Sequence, residues 1–283
     1  MSIEHIAVIG AGTMGNGIAQ VCAVAGYQMT LIDVSDAALE RGVATLRKNL
    51  DRQVSKQTLD AAQAEAAVTR IRTSTDYAQL KDVQLVIEAA TENLELKKRI
   101  LQQVAANVSE RCVIATNTSS LSVTQLGAAI NAPERFIGVH FFNPVPMMAL
   151  VEVIRGLQTS DATYATAMAL TGQVGKTAIT AGNRPGFVVN RILVPMINEA
   201  IFVLQEGLAS AVDIDTGMRL GCNQPIGPLA LADLIGLDTL LAIMEAFHDG
   251  FNDSKYRPAP LLKEMVAAGY LGRKSGRGFH VYE

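Results

Sequence analysis

The sequence predicts an α/β chain: a doubly wound, mostly parallel sheet followed by a second, all-helical domain. Two observations predict it. From residue 3 to about 180, short β-branched runs alternate with helical patterns, as when crossover helices cover both faces of one sheet. After "GNRPGF" the composition shifts to helix-like blocks, with Pro185 and Gly186 as punctuation. The expected domains are therefore residues 1–184 and 185–283, which agrees with a length beyond the roughly 100–200 residues of one domain.

The first strand and its sequel carry the sharpest motif. "HIAVIGAGTMGNGIAQVCAVAGYQMTLIDV" reads as strand, Gly10-x-Gly12-x-x-Gly15, helix, a turn at Gly26, and a second strand ending in Asp33. Gly10 makes the tight turn, Gly12 lets a pyrophosphate approach the backbone, and Gly15 lets helix pack on strand, with Thr13 and Met14 lying in the same loop. The helix N-terminus then offers N–H groups and positive dipole to phosphates. Asp33 can accept hydrogen bonds from both adenosine ribose hydroxyls and would repel a 2′-phosphate, which favours NAD over NADP. This is a Rossmann-type unit, and NAD is the expected cofactor.

Next, "DAALERGVATLRKNLDRQVSK" (36–56) places Leu39, Val43, Leu46, Leu50 and Val54 on one helical face and Arg41, Lys48, Arg52 and Lys56 on another. Such a stripe is a solvated face in a generic helix, or a docking surface for a polyanion. An Ala-rich "LDAAQAEAAV" follows and reads as simple helix.

The later strands end in polar residues. After "LVIEAA" come Thr91, Glu92 and Asn93; after "CVIAT" come Asn117, Thr118, Ser119 and Ser120; after "FIGV" comes His140, then Asn143 and Pro144. Ligands of open α/β sheets bind outside the carboxyl ends of the strands, on this edge. Ser119 alone would serve equally as the N-cap of a helix beginning near Ser122. His140 has company: Glu152 lies in the next apolar run, "LVEVI", beyond a Pro-rich turn that could bring the two strands side by side. A buried Glu beside an imidazole fixes its tautomer and stabilises the imidazolium. Such a pair can take a proton from a hydroxyl as hydride leaves the same carbon. Their expected separation is about 2.6–3.2 Å. "KTAIT" is the last strand of this domain.

In the second domain, Phe187–Gly207 reads as a long helix apolar around most of its circumference, to be covered by its own domain and a second subunit. No convincing strand appears until a final "GFHVY".

Composition bounds the partners. A net charge of −3 offers no general attraction to nucleic acid or anionic membrane. Cys22, Cys112 and Cys222 are far apart and lack CxxC spacing, which suggests neither disulfides nor a metal site, so they read as buried thiols in a reducing compartment. No apolar run approaches the roughly 18 residues that span a bilayer. "MSIEHIAVIG" leaves no room for a targeting peptide, so a cytoplasmic location is expected.

Together, "IGAGTMGNGIAQ", "EAATENLELKK", "ATNTSSLSV", "GVHFFNPVPMMALVEVI", "RPGFVVNRI" and "GRKSGRGFHVYE" resemble the L-3-hydroxyacyl-CoA dehydrogenases, in particular the short bacterial 3-hydroxybutyryl-CoA enzymes, over essentially the whole chain. The resemblance implies a Rossmann domain plus a helical domain that makes a homodimer. It implies oxidation of a 3-hydroxyacyl-CoA by NAD, with His140 as base, Glu152 as its orienting partner, and Ser119 and Asn190 as donors to the substrate oxygen in a cleft between domains. It also implies NAD contacts from Asp33, Glu92, Lys97, Ser119, Asn143 and Lys274. The basic stripe becomes a CoA-binding helix, with Lys56 at the matching position beside Lys48 and Arg52, and with Asn49 where the family often has Ser. Two rivals stand beside this reading: a dehydrogenase of a free 3-hydroxy acid, and a non-catalytic protein that keeps the NAD site.

Overall fold

The computed structural model describes residues 3–282, and the chain divides into two compact units, Met1–Asn183 and Arg184–Glu283. The first unit is built on β1 (His5–Ile9), α1 (Thr13–Val24), β2 (Gln28–Ile32), α2 (Asp36–Ser55), α3 (Ala61–Thr69) and β3 (Ile71–Ser74). It continues with β4 (Leu85–Glu88), α4 (Leu94–Asn107), β5 (Val113–Thr116), α5 (Val123–Gly127), β6 (Phe136–Phe141), β7 (Leu150–Arg155), α6 (Asp161–Gln173) and β8 (Thr177–Gly182).

All eight strands form one sheet in the order β3-β2-β1-β4-β5-β6-β7-β8. β1 to β6 are parallel, β7 runs antiparallel to β6, and β8 is parallel to β7. The order reverses between β1 and β4, the switch point where such sheets bind ligands. Central strands are covered on both faces, which is why β4, β5 and β6 are buried throughout and read as continuous apolar runs. Helix starts follow from local chemistry: Ser35 accepts from Ala38 N–H at α2, Asp60 and Gln63 form a capping box at α3, and Asn93 accepts from Leu96 N–H at α4.

The sequence reading misses β3. Its four residues, "IRTS", sit at the sheet edge with only the ends half-buried, so no apolar alternation marks them. Its pairing with β2 is a tertiary event.

The second unit consists of α7 (Val189–Gln205), α8 (Ala211–Gly221), α9 (Pro228–Ile235), α10 (Leu237–Phe251) and α11 (Pro260–Ala267). They enclose a core that includes Val194, Ile197, Ile201, Leu229, Leu240, Met244 and Phe247. Two expectations are corrected here. The long helix begins at Val189, because Gly186 and Phe187 both adopt left-handed backbone (φ +76° and +50°) that cannot continue into a helix. The closing "GFHVY" makes only an isolated bridge between Arg277 and Val281. The N–H groups of Phe279 and His280, which a strand partner would have engaged, donate instead to the buried carboxylate of Asp233, as does the Tyr282 hydroxyl. The His280 ring is bonded to Asp215, so two buried acids hold the chain end. No helix among the described residues is long and apolar enough to cross a membrane.

Candidate active site

The glycine loop lies at the carboxyl end of β1. Gly10 has φ +101°, and a Cβ there would meet the Ala90 Cα at 2.6 Å. A Cβ at Gly15 would run into the Gly10 carbonyl oxygen, so helix and strand approach as closely as backbone allows. Gly12 differs: it caps α1 without a side-chain hydrogen bond, and a Cβ there would enter open space. An uncapped helix start facing open space, with exposed Thr13 and half-buried Met14 in its first turn, suits a pyrophosphate.

Asp33 follows β2, and its Oδ2 accepts from Ala11 N–H at 2.8 Å, which ties the acid to the loop. Beside it lies a cavity of about 340 Å³ lined by Gly10, Asp33, Val34, Tyr77, Ala90 and Arg99 among others. Burial pushes the Tyr77 phenol above its ordinary pKa, and the Glu88 and Asp33 charges add to this. The space and the donor set fit the adenosine half of a dinucleotide. Tyr77 and Arg99 carry no motif; Tyr77 follows the strand that the sequence hides.

A buried hydrogen-bonded pair lies between β6 and β7. His140 and Glu152 are direct partners in the antiparallel register, so both side chains leave the same face. His140 Nδ1 lies 2.8 Å from Glu152 Oε2, with His140 6 % and Glu152 0 % exposed. A carboxylate can only accept, so Nδ1 carries the hydrogen and proton exchange falls to Nε2. The Phe142 ring packs 4.6 Å from the imidazole. Two further residues hold this region. Asn117 Oδ1 accepts from Phe141 N–H at 2.8 Å, fastening the end of β6 to that of β5. Lys176 Nζ donates to the carbonyls of Val145 and Met148, both at 2.7 Å, and so clamps the turn between His140 and Glu152. Burial lowers the Lys176 pKa.

The loops after β4 and β5 are laced together. Glu92 Oε1 accepts from Ser119 N–H at 2.9 Å and from its hydroxyl at 3.2 Å, while Oε2 accepts from Thr118 Oγ1 at 2.7 Å. The N-cap of α5 is Ser122, so Ser119 is available for other work. Asn143 is exposed just after β6. Lys97 behaves unlike an exposed cofactor ligand: it is 1 % exposed and paired with Glu88. On α2, Arg41, Lys48 and Arg52 are exposed, as is Lys56 at its C-cap, with Asn49 half-buried among them.

In the second unit, Asn190 is half-buried in the first turn of α7. Its neighbour Arg191 stacks its guanidinium on the Phe251 and Tyr256 rings, at 3.7 and 4.4 Å. Lys274 Nζ donates to both carboxylate oxygens of Asp238, at 2.5 and 2.6 Å, and holds that acid below its ordinary pKa.

Family comparison places this geometry. Residues 5–184 match the NAD binding domain of 3-hydroxyacyl-CoA dehydrogenase, and residues 186–282 match its C-terminal domain. The chain belongs to the 3-hydroxyacyl-CoA dehydrogenase family. NAD is the cofactor of this family's first domain. Among its relatives is a 3-hydroxybutyryl-CoA dehydrogenase of Bradyrhizobium diazoefficiens, 50 % identical over 99 % of this chain and 96 % of that one. Another, from Clostridioides difficile, is 46 % identical over 98 % and 99 %. The crystal structure of (S)-3-hydroxybutyryl-CoA dehydrogenase from Ralstonia eutropha superposes with a TM-score of 0.98 at 61 % identity, covering all of both chains.

Proposed function

We propose that the protein oxidises an (S)-3-hydroxyacyl-CoA, with 3-hydroxybutyryl-CoA as preferred substrate, to the 3-oxoacyl-CoA, and catalyses the reverse reduction of acetoacetyl-CoA. The buried His140–Glu152 hydrogen bond at the carboxyl edge of the sheet carries this reading. The names of the relatives supply the substrate class. NAD, when bound, supplies the hydride acceptor for C3. The uncapped start of α1 holds its pyrophosphate, with Gly10, Gly12 and Gly15 clearing the space, and Asp33 takes the adenosine ribose. His140 Nε2 removes the C3 hydroxyl proton while Nδ1–H stays on the Glu152 carboxylate, which stabilises the imidazolium; in reverse His140 returns that proton. Ser119 is assigned a hydrogen bond to the substrate oxygen, where charge develops, and Asn190 the same task from the family pattern. Glu92, bonded to Ser119, sets the position of that serine. Exposed Lys48, Arg52 and Lys56 offer the CoA phosphates their local positive patch.

One assay tests both substrate and cofactor: NADH or NADPH consumption with acetoacetyl-CoA or free acetoacetate. We expect turnover on acetoacetyl-CoA with NADH, at least about a hundredfold less on free acetoacetate, and poor use of NADPH. Equal use of the free acid would sink the CoA assignment, and equal use of NADPH the assignment of Asp33.

The second unit carries the proposed homodimer surface. Ile192, Leu208, Val212 and Leu220 are all exposed there, more apolar side chains than an isolated unit needs to leave in water. Sedimentation at micromolar protein should give twice the chain mass, and a monomer would refute it. A cytoplasmic location belongs to the same proposal; of the three cysteines expected to be buried, Cys22 and Cys112 are, their thiols pushed up to about 12 by burial, whereas Cys222 at the C-cap of α8 is exposed.

A further inference from the structure

We propose that Lys176 is a positioning residue for the reaction centre, a role that rests on reading His140 and Glu152 as the proton-transfer pair. Its ammonium fixes the turn between β6 and β7 and, through that turn, the Phe142 ring against the His140 imidazole. The side chain starts from a fixed point. α6 ends at Gln173, Gly175 takes left-handed backbone (φ +71°), and the N–H groups of Gly175 and Lys176 return to the carbonyls of Gly172 and Thr171, both at 3.0 Å. That double closure of the helix end pins the backbone at residue 176. Thr177 then opens β8 opposite Leu150, and its N–H donates to the Ala149 carbonyl at 2.7 Å. The Lys176 Nζ reaches further along the same edge, to the carbonyls of Met148 and Val145, both at 2.7 Å. Hydrogen bonding between β8 and β7 is thereby carried past the strand and onto the turn.

The turn needs that anchor. Its own closure is two bonds, from the N–H groups of Met147 and Met148 to the Pro144 carbonyl, at 2.9 and 3.0 Å. Pro144 and Pro146 have no N–H to give. Among the described residues no carboxylate pairs with Lys176, so the two carbonyl dipoles face its charge, in charge-assisted bonds stronger than neutral ones. On its other side the turn rests on α1: Val145 is buried, and a Cβ at Gly17 would meet the Val145 Cβ at 2.9 Å. Phe142 and Asn143 fill the short stretch from His140 to this doubly held segment. Without the ammonium the freed carbonyls turn toward water, and the Phe142 ring and the imidazole lose their common position. A shift of about 1 Å at the reacting atoms costs up to about a hundredfold in rate.

Lys176→Met keeps the apolar stem and removes the donors. Its kcat for acetoacetyl-CoA reduction at saturating NADH should fall at least about tenfold. KM for acetoacetyl-CoA should stay within about threefold, because Lys48, Arg52 and Lys56 are untouched. Lys176→Ala removes the stem as well, beside a cavity of about 360 Å³ lined by Gln20, Gln53, Pro146 and Gly175 among others. Propylammonium replaces the atoms removed, enters there, and should raise the kcat of the alanine variant at least about fivefold. Tetramethylammonium carries the same charge without an N–H and should do nothing, and neither ion should help His140→Ala. A Lys176→Met protein with wild-type kcat overturns the proposal. So does an alanine variant that propylammonium fails to rescue or that tetramethylammonium rescues equally. Should Lys176→Met not fold, the rescue decides by itself, and an alanine variant that stays unfolded with propylammonium counts against the role. Full turnover in His140→Ala overturns the proton-transfer reading and this role with it; loss of turnover there beside wild-type kcat in Lys176→Met overturns the role of Lys176 alone.

Discussion

His140→Ala is expected to lower turnover of acetoacetyl-CoA by roughly 10²- to 10⁴-fold, the usual contribution of a positioned general acid or base. The NAD Kd should stay within about twofold, because the imidazole lies at the β6–β7 end of the edge while the glycine loop and Asp33 lie at β1 and β2. Steady-state rates from NADH absorbance, set beside calorimetric NAD binding, separate the two effects. Wild-type turnover in the alanine variant would remove His140 from the mechanism. A loss of NAD binding equal to the loss of rate would make it a structural residue.

Glu152→Gln should reduce turnover almost as far, for a reason that lies in hydrogen-bond direction. The carboxylate can only accept, so it demands a hydrogen on Nδ1 and leaves Nε2 as the basic nitrogen. An amide of the same shape can donate, and its N–H would favour the opposite tautomer, with the hydrogen on Nε2 where a base is needed. The charge that stabilises the imidazolium is lost as well. Packing is preserved, so the unfolding temperature should shift by only a few degrees while kcat falls by at least about a hundredfold. Full turnover across the pH range would refute the dyad.

Much of this site is legible in the residue order, for identifiable reasons. The glycine spacing encodes steric demands that only one local structure satisfies. Gly10 needs a left-handed φ and Gly15 a backbone contact, and both demands recur in the folded chain. His140 and Glu152 stand out because each interrupts an apolar strand, and interruptions of that kind are costly without a partner. The Ser119 alternative resolves through Ser122, which takes the capping role at α5.

What escapes the sequence is pairing between distant segments. β3 is invisible because an edge strand of four mixed residues has no periodicity, and Tyr77 is hidden with it. The end "GFHVY" has the composition of a strand, yet Asp233 outcompetes any strand partner for its N–H groups. Lys97 looks like a surface lysine in "LELKKRIL", although Leu101 and Val104 lie four and seven residues on and are buried with it. That spacing puts Lys97 on the apolar stripe of α4, a signal that needs Glu88 in place before it has meaning.

The sequence alone determined the order of strands and helices apart from β3 and the chain end, the NAD-binding loop, the acid that follows β2 and the two strand residues of the proposed reaction centre. These follow from local rules: backbone sterics, periodicity and the high cost of an isolated polar group in an apolar run. The tertiary structure decided the antiparallel register that sets His140 opposite Glu152, and the pairing of Glu88 with Lys97 of α4 and Thr116 of β5. It also decided the capture of the chain end by two buried acids. Each of these rests on the direction of a hydrogen bond between residues far apart in the chain, and direction exists only once the backbone has been brought into place.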